Sequence, residues 1–260
     1  RDFCLSRGLG DVYKRQDTSS DNRPMMNRYR VTSITSEAGA VTSVDYSAPQ
    51  CSATNKPANP WSNTMRCLPV RWTPPGEPDP VLEYFHKYVA TGVTEDPADS
   101  PTSLKQQIYY TYEGDPAFRY NDDELTPPKE RTWSTWRGYG SVKVATGAPG
   151  NPDEPQVITR TTYFRGLNGG RLNDSGGTVD ASVDGVIDRK QFAGQVRTDI
   201  TLNGTAEVER TTATPWRSAE TATDADGDKA FHTGTSVAET RVVAPDLTDG
   251  VRTVRTETEY

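Results

Sequence analysis

Apolar residues are scarce in this chain. They make up 33% of its 260 residues and the mean hydropathy is -0.77, against the roughly 45–50% apolar share of ordinary globular domains. No apolar run reaches the roughly 18 residues a spanning helix needs, and no leader peptide is recognisable at the start, so any export signal is expected outside this sequence. Histidine occurs twice and cysteine three times, which leaves little material for Ser-His or Cys-His nucleophile chemistry. No CxxC spacing is present to suggest a zinc site. Lysine accounts for 8 of the 29 basic residues, the rest being arginine, a skew that GC-rich coding sequence tends to produce. The basic residues form no cluster, and with a formal charge of -7 and a pI near 5.0 the chain lacks the positive face that phosphate recognition needs. A sustained 3.6-residue apolar period is also missing, which predicts no helix longer than about two turns in residues 28–260.

What is present is aromatic and alternating. Five Trp and twelve Tyr supply anchors that disordered chains lack. From residue 28 the dominant period is two. RYRVTSIT (28–35) and VTSVDYS (41–47) flank a turn centred on Gly39, a hairpin signal. Further alternating runs follow at 82–89, 106–113, 131–136, 140–147, 156–166, 189–204, 206–214, 232–244 and 251–260. Each is rich in Thr, Val, Tyr or Phe and bounded by Gly, Pro, Asn or Asp. The reading is all-β: consecutive antiparallel hairpins forming a long curved sheet, with one polar face along many strands.

The organisation expected is a tail at 1–27 that reads as non-native or disordered, a β strip at 28–146, a linker loop at 147–155 and a second β strip at 156–260. The first sixteen residues lack the Thr-rich texture of the remainder and resemble translated linker sequence, so Cys4 is set aside. Both ends read as truncated. Three Pro-rich loops lie at roughly 48–80, 94–104 and 147–155, and a loop of about 30 residues usually needs a staple. Cys51 and Cys67 bracket the first of them. A disulfide between the two fits an exported protein; two buried free thiols are the plainer possibility.

Other candidate residues read as structural. Asp122, Asp123 and Glu124 offer paired carboxylates of the kind that run glycoside hydrolysis, but they adjoin Pro127 and Pro128 and read as a solvated loop. Asp224, Asp226 and Asp228 around Gly227 imitate the start of a calcium loop without its closing Glu. His86 and His232 have no partner at a recognisable spacing. Trp133 and Trp136, three apart in an expected strand, should point to opposite faces, as plain packing residues or as a carbohydrate platform. Gly138, Gly140 and Gly166 beside strands read as bulges or turns that bend the sheet.

The succession RYRVTSITSEAGAVTSVDYSAPQC, CLPVRW, EYFHKYVATGVTEDP, RTWSTWRGYGSVKVATG, TTYFRGLNGGRL and FAGQVRTDITLNG resembles Rhs repeat-associated proteins of the actinobacterial type, in the same order from about residue 28 to 217. The most specific stretches carry Trp133, Trp136, Arg137, Gly138, Tyr139 and Gly140, then Tyr163, Phe164, Arg165 and Gly166. The defining Tyr-Asp repeat is degenerate, since Thr35 and Ser36 stand where Tyr and Asp would be. This YD-repeat family is similar to the B and C components of insecticidal toxin complexes and to the teneurin shell. The resemblance implies a strip of a hollow shell enclosing a C-terminal toxin domain, secreted or displayed on a bacterial cell surface. It implies a structural role with no catalysis, cofactor or metal. Its partners would be the remainder of its own shell and the enclosed toxin domain, with no nucleic acid and no membrane insertion. A secreted adhesin or carbohydrate-binding module is the alternative.

Overall fold

The computed structural model describes residues 30–52, 54–74, 76–97, 105–150, 156–224, 227 and 229–260, together with the backbone of 12–15 and 26–29. The chain divides into two compact units: Arg1–Thr111, Asp115–Trp136 and Ala145–Pro155 in one, and Tyr112–Gly114, Arg137–Val144 and Gln156–Tyr260 in the other. The first carries β1 (Val12–Arg15), β2 (Met26–Tyr29), β3 (Ser33–Thr35), β4 (Val41–Tyr46), β5 (Cys67–Trp72), β6 (Val81–His86), β7 (Ala90–Asp96), most of β8 (Gln106–Glu113), β9 (Ala117–Arg119) and the start of β10 (Thr135–Gly138). The second carries most of β11 (Ser141–Thr146), β12 (Val157–Tyr163), β13 (Arg171–Asn173), β14 (Gly176–Thr178), β15 (Ser182–Val183), β16 (Val186–Ile187), β17 (Val196–Asn203), β18 (Ala206–Arg217), β19 (Ala222–Thr223), β20 (Lys229–Ala230), β21 (Thr233–Val243) and β22 (Val251–Glu257).

The fold is all-β, and no α-helix occurs among the described residues; three-residue 3-10 turns sit at Pro60–Ser62, Pro128–Glu130 and Lys190–Phe192. Ten strands form one antiparallel sheet in the order β3-β4-β7-β8-β11-β12-β17-β18-β21-β22. That is chain order with the small hairpins β5-β6, β9-β10, β13-β14, β15-β16 and β19-β20 left out as insertions. Strands of the sheet pair mainly with their sequence neighbours, as expected, and some reach past an insertion. β4 pairs β7 and β12 pairs β17 across whole inserted hairpins, because a two-residue turn is not the only way to return a strand to its partner.

The elements follow from local chemistry. In β17, buried Thr198 and Ile200 alternate with half-buried Asp199 and Thr201, a period of two. Pro215 falls at a register shift in the β18–β21 pairing, the place where a residue without an N–H costs the ladder least. Two expected strands begin well after the alternation implied. Residues 131–134 are not strand and β10 begins only at Thr135; residues 189–195 hold the Lys190–Phe192 turn, and the strand begins at Val196. In both cases a ring pulled inward, Trp133 or Phe192, replaces ladder pairing with packing. Within the tail, β1 pairs β2; residues 1–11 and 16–25 lie outside the described residues.

Fully buried apolar side chains sit mostly off the ten-stranded sheet. Cys51, Cys67, Tyr84 and Phe85 are buried at the β5-β6 hairpin, Trp133 before β10, and Phe164 and Phe192 beside the Lys190–Phe192 turn; Ile200 is the one of this set on a strand of the main sheet. The loop ahead of β5 is closed by a Cys51–Cys67 disulfide, Cα atoms 5.8 Å apart and sixteen residues apart in sequence, inside the range disulfides favour. Tyr84, Met65 and Leu82 pack around it. Asn63 Nδ2 donates to the Cys67 carbonyl at 2.6 Å, and Arg66 N donates to Gln50 Oε1 at 2.8 Å, so the loop is pinned from inside as well as by the staple. Burial pushes the Tyr84 phenol up to about 12. The paired substitution Cys51→Ala with Cys67→Ala should lower unfolding free energy by about 3 kcal/mol, the loop-closure value for this separation. Denaturant titration checks it, and an unchanged midpoint would count against the staple.

Candidate functional site

The motif residues fall in two places. In the first unit, Trp133 is 4% exposed and packs between Trp61 (ring centroids 5.4 Å) and Tyr120 (5.0 Å, edge-on). Trp61 belongs to the Pro60–Ser62 turn of the Pro-rich loop, so Trp133 holds that loop down and presents no free face to a ligand. The opposite-face expectation for Trp133 and Trp136 lapses, since Trp133 precedes the strand. Trp136, on β10, stands edge-on to Phe118 at 5.2 Å, with the Lys87 ammonium 5.4 Å from its ring, a packed cation–π arrangement. Arg30 lies over two rings, 3.5 Å from the Tyr88 centroid and 4.8 Å from that of Tyr46.

In the second unit, Arg137, Gly138, Tyr139, Gly140, Tyr163, Phe164, Arg165 and Gly166 surround one joint. Gly138 has φ +70°, a backbone setting that turns the chain between β10 and β11 at little steric cost for glycine alone. Tyr139, buried, rests its ring 4.9 Å from that of Tyr112. Tyr163 N donates to the Gly140 carbonyl at 2.9 Å, and the Arg165 guanidinium lies over Gly140, where a Cβ would meet its Cζ at 3.6 Å. β12 shifts register between Thr162 and Tyr163. Phe164, 1% exposed, meets Phe192 edge-on at 5.8 Å.

Sequence reasoning missed the group that organises this joint. Asp188 is 2% exposed, and its carboxylate accepts from Gly166 N at 2.6 Å and Leu167 N at 3.1 Å. Charge-assisted bonds to two backbone donors compensate its burial. Gly166 has φ +69°, and a Cβ there would stand 2.9 Å from both Ala193 Cβ and the Lys190 carbonyl. The only outward sign of Asp188 in the sequence is its place just after the Asp184-Gly185 turn. A second missed group is Glu113, which accepts from Ser141 Oγ at 2.9 Å and Arg160 Nη2 at 3.1 Å, with Lys143 Nζ at 3.7 Å. Burial raises its carboxyl pKa, but the Ser141 hydrogen bond and the Arg160 and Lys143 charges outweigh that and set it below the ordinary 4.5.

The remaining candidates are held in structural roles. Asp123 accepts from Leu125 N at 3.2 Å and Thr126 Oγ1 at 3.0 Å, and Asp122 takes Arg119 at 3.5 Å; the acidic run fixes its own turn. His86, set aside for want of a partner in the sequence, has its Nδ1 3.5 Å from Cys51 Sγ, because the β5-β6 register puts Cys67 opposite His86. His232 is exposed, and its backbone pairs with Ser218. Gly227 N donates to the Asp224 carbonyl at 3.3 Å; Asp226 and Asp228 lie outside the described residues. No cluster of three or more His, Cys, Asp or Glu suited to a metal occurs among the described residues.

No protein-family model matches the chain, and no curated protein matches it. Among solved structures, the chain is similar to TcdB2-TccC3, with 13% identity and a TM-score of 0.44, over 83% of this chain and 11% of that one. It is similar also to TcdB2-TccC3-Cdc42 and to TcdB2-TccC3 without its hypervariable C-terminal region, each with 14% identity, a TM-score of 0.41, and coverage of 79% and 10%. The chain thus spans about a tenth of the length of these structures. At this level of identity and superposition the likeness carries no argument about what the chain does.

Gly166→Ala should cost at least about 2 kcal/mol, combining a left-handed alanine with a backbone collision. Gly176→Ala, with φ +99° but nothing within 4 Å of the new Cβ, should cost about 1 kcal/mol. Equal losses in denaturant unfolding would sink the joint's close packing as the cause. For Glu113 the native state favours the charged form, so its contribution is present above the ordinary 4.5 and is lost as pH falls through the lower native value. Glu113→Gln should therefore be less stable than the parent at pH 6, with the gap narrowing toward pH 3. A gap that widens on acidification would show that the sign is wrong.

Proposed function

We propose that this chain is non-catalytic wall material of an Rhs/YD-repeat shell, part of a secreted bacterial toxin whose C-terminal toxin domain the shell encloses. The observation that carries this is the sheet order. Ten strands follow one another in chain order without closing on themselves, and among the described residues β3 and β22 stand at the two ends with one strand partner each. A self-contained binding module closes or covers its edges; a strip that continues into more strip leaves them for its own neighbours. The order-preserving motif resemblance points the same way. Candidate acids and histidines are bound up in turns and strand contacts, which suits a wall better than an enzyme. Export fits the stapled 51–67 loop, since disulfides persist in oxidising compartments.

Expressed alone, residues 28–260 should unfold in a broad or low-temperature transition and aggregate through open edges. Adding flanking YD-repeat sequence should sharpen the transition and suppress aggregation. A monomer that unfolds cooperatively at high temperature without flanking sequence would remove the wall reading and favour a free-standing module.

A further inference from the structure

The β18 end of the second unit holds a recess of about 370 Å³ lined by Ile187, Arg189, Phe192, Pro215, Trp216 and Arg217 among others. That volume is within the range of small-ligand sites, roughly 300–1,000 Å³. Its lining is aromatic and aliphatic apart from the two arginines. In a chain of net charge -7, this local excess of positive charge is unusual. No ion pair engages either guanidinium among the described residues. The neighbouring acids are committed elsewhere: Asp188 to the Gly166 and Leu167 amides, Asp184 to Arg197 at 3.7 Å, and Glu220 to Lys229 at 2.5 Å. Arg217 instead lies 4.1 Å over the Phe231 ring.

The recess is also rigidly backed. Trp216 stacks on Tyr260 at 4.3 Å and 10°. The Tyr260 hydroxyl accepts from Thr235 N at 3.0 Å and donates to the Thr235 carbonyl at 3.1 Å. Gly234 makes room for it, since a Cβ there would collide with the Tyr260 hydroxyl. Phe192 is 4% exposed and fixed against Phe164. The Trp216 indole, one face held on Tyr260, lines the recess beside Pro215, and an indole is the kind of flat apolar surface that the C–H face of a pyranose covers. Guanidinium groups supply the forked donors that a carboxylate takes two at a time.

We infer that this recess binds an acidic sugar, a pyranose bearing a carboxylate as in a uronic-acid oligosaccharide. The site goes beyond the wall reading and does not rest on it. An acidic peptide could satisfy the arginines but has no ring face to set on the indole, so the sugar is the better fit.

Calorimetric titration of the monomeric fraction of the 260-residue chain, taken from size-exclusion chromatography immediately before use, with tetragalacturonate, neutral maltotetraose and tetraglutamate tests this. Tetragalacturonate should bind, weakening with added salt, while maltotetraose gives no saturable heat. Arg189→Gln and Arg217→Gln should each weaken binding at least about tenfold, as loss of a desolvated charge-assisted pair does. Arg217→Lys should recover part of the loss. Arg255→Gln, an exposed β22 residue paired with Glu257 at 2.6 Å, should leave binding unchanged. The inference is overturned by no binding of tetragalacturonate, by equal loss in Arg255→Gln, by no loss in either recess variant, or by tetraglutamate binding as tightly as the sugar.

Discussion

Main-chain pairing between strands that follow one another along the chain is the interaction on which everything else in this protein depends. With one residue in three apolar, side-chain burial alone cannot offset the entropy of ordering so long a chain. Each ladder bond adds only about 0.5–1.5 kcal/mol net, but pairing is repeated across all ten strands of the sheet. Polar cross-strand contacts supplement it. Thr211 and Thr240 sit opposite one another with hydroxyls 2.9 Å apart, and Thr161 donates to Asp199 at 2.7 Å across β12–β17. Pairs of this kind contribute tenths of a kcal/mol up to about 1 kcal/mol each. They also explain why threonine, rather than leucine, dominates the strands.

Apolar residues are spent where pairing stops. The inserted hairpins and turns are too short to stabilise themselves, because an isolated two-stranded ribbon is marginal in water. Three small buried knots anchor most of them instead: Cys51–Cys67 with Tyr84 at β5-β6, Trp61–Trp133–Tyr120 ahead of β10, and Phe164–Phe192 with the Asp188 carboxylate in the stretch between β12 and β17, while β19-β20 is exposed along both strands. The same logic places the glycines that matter. Gly138 and Gly166 stand at positive φ where the chain leaves or re-enters a ladder strand, and at Gly166 the lack of a Cβ also lets the backbone approach Lys190 and Ala193.

This division decides what could be read from the sequence. Strand identity was legible because alternation is a local property, and β8, β12, β18 and β21 lie where period-two runs occur. The disulfide was legible because two cysteines bracket one loop. Partner choice was less so: nothing local says that β4 skips β5 and β6 to reach β7. The acidic and histidine candidates were legible as residues and not as contacts. His86 reaches Cys51 only through the β5-β6 register, and Asp188 acquires its meaning from amides more than twenty residues away in sequence. Burial of a charge is set by tertiary packing, and a single sequence with no covariation carries no record of it.

The two ionic centres of the second unit show how far such polar packing can go. Asp188 is enclosed and satisfied by backbone amides, so it fixes geometry whatever the surrounding side chains do. Glu113 is half-exposed and satisfied by side chains from two strands, so it adds register preference between those strands rather than much stability. A chain with few apolar residues needs both kinds. The first sets turns that hydrophobic collapse would otherwise position, and the second discriminates against a slip of one residue, which would place Ser141, Lys143 and Arg160 on the face away from Glu113.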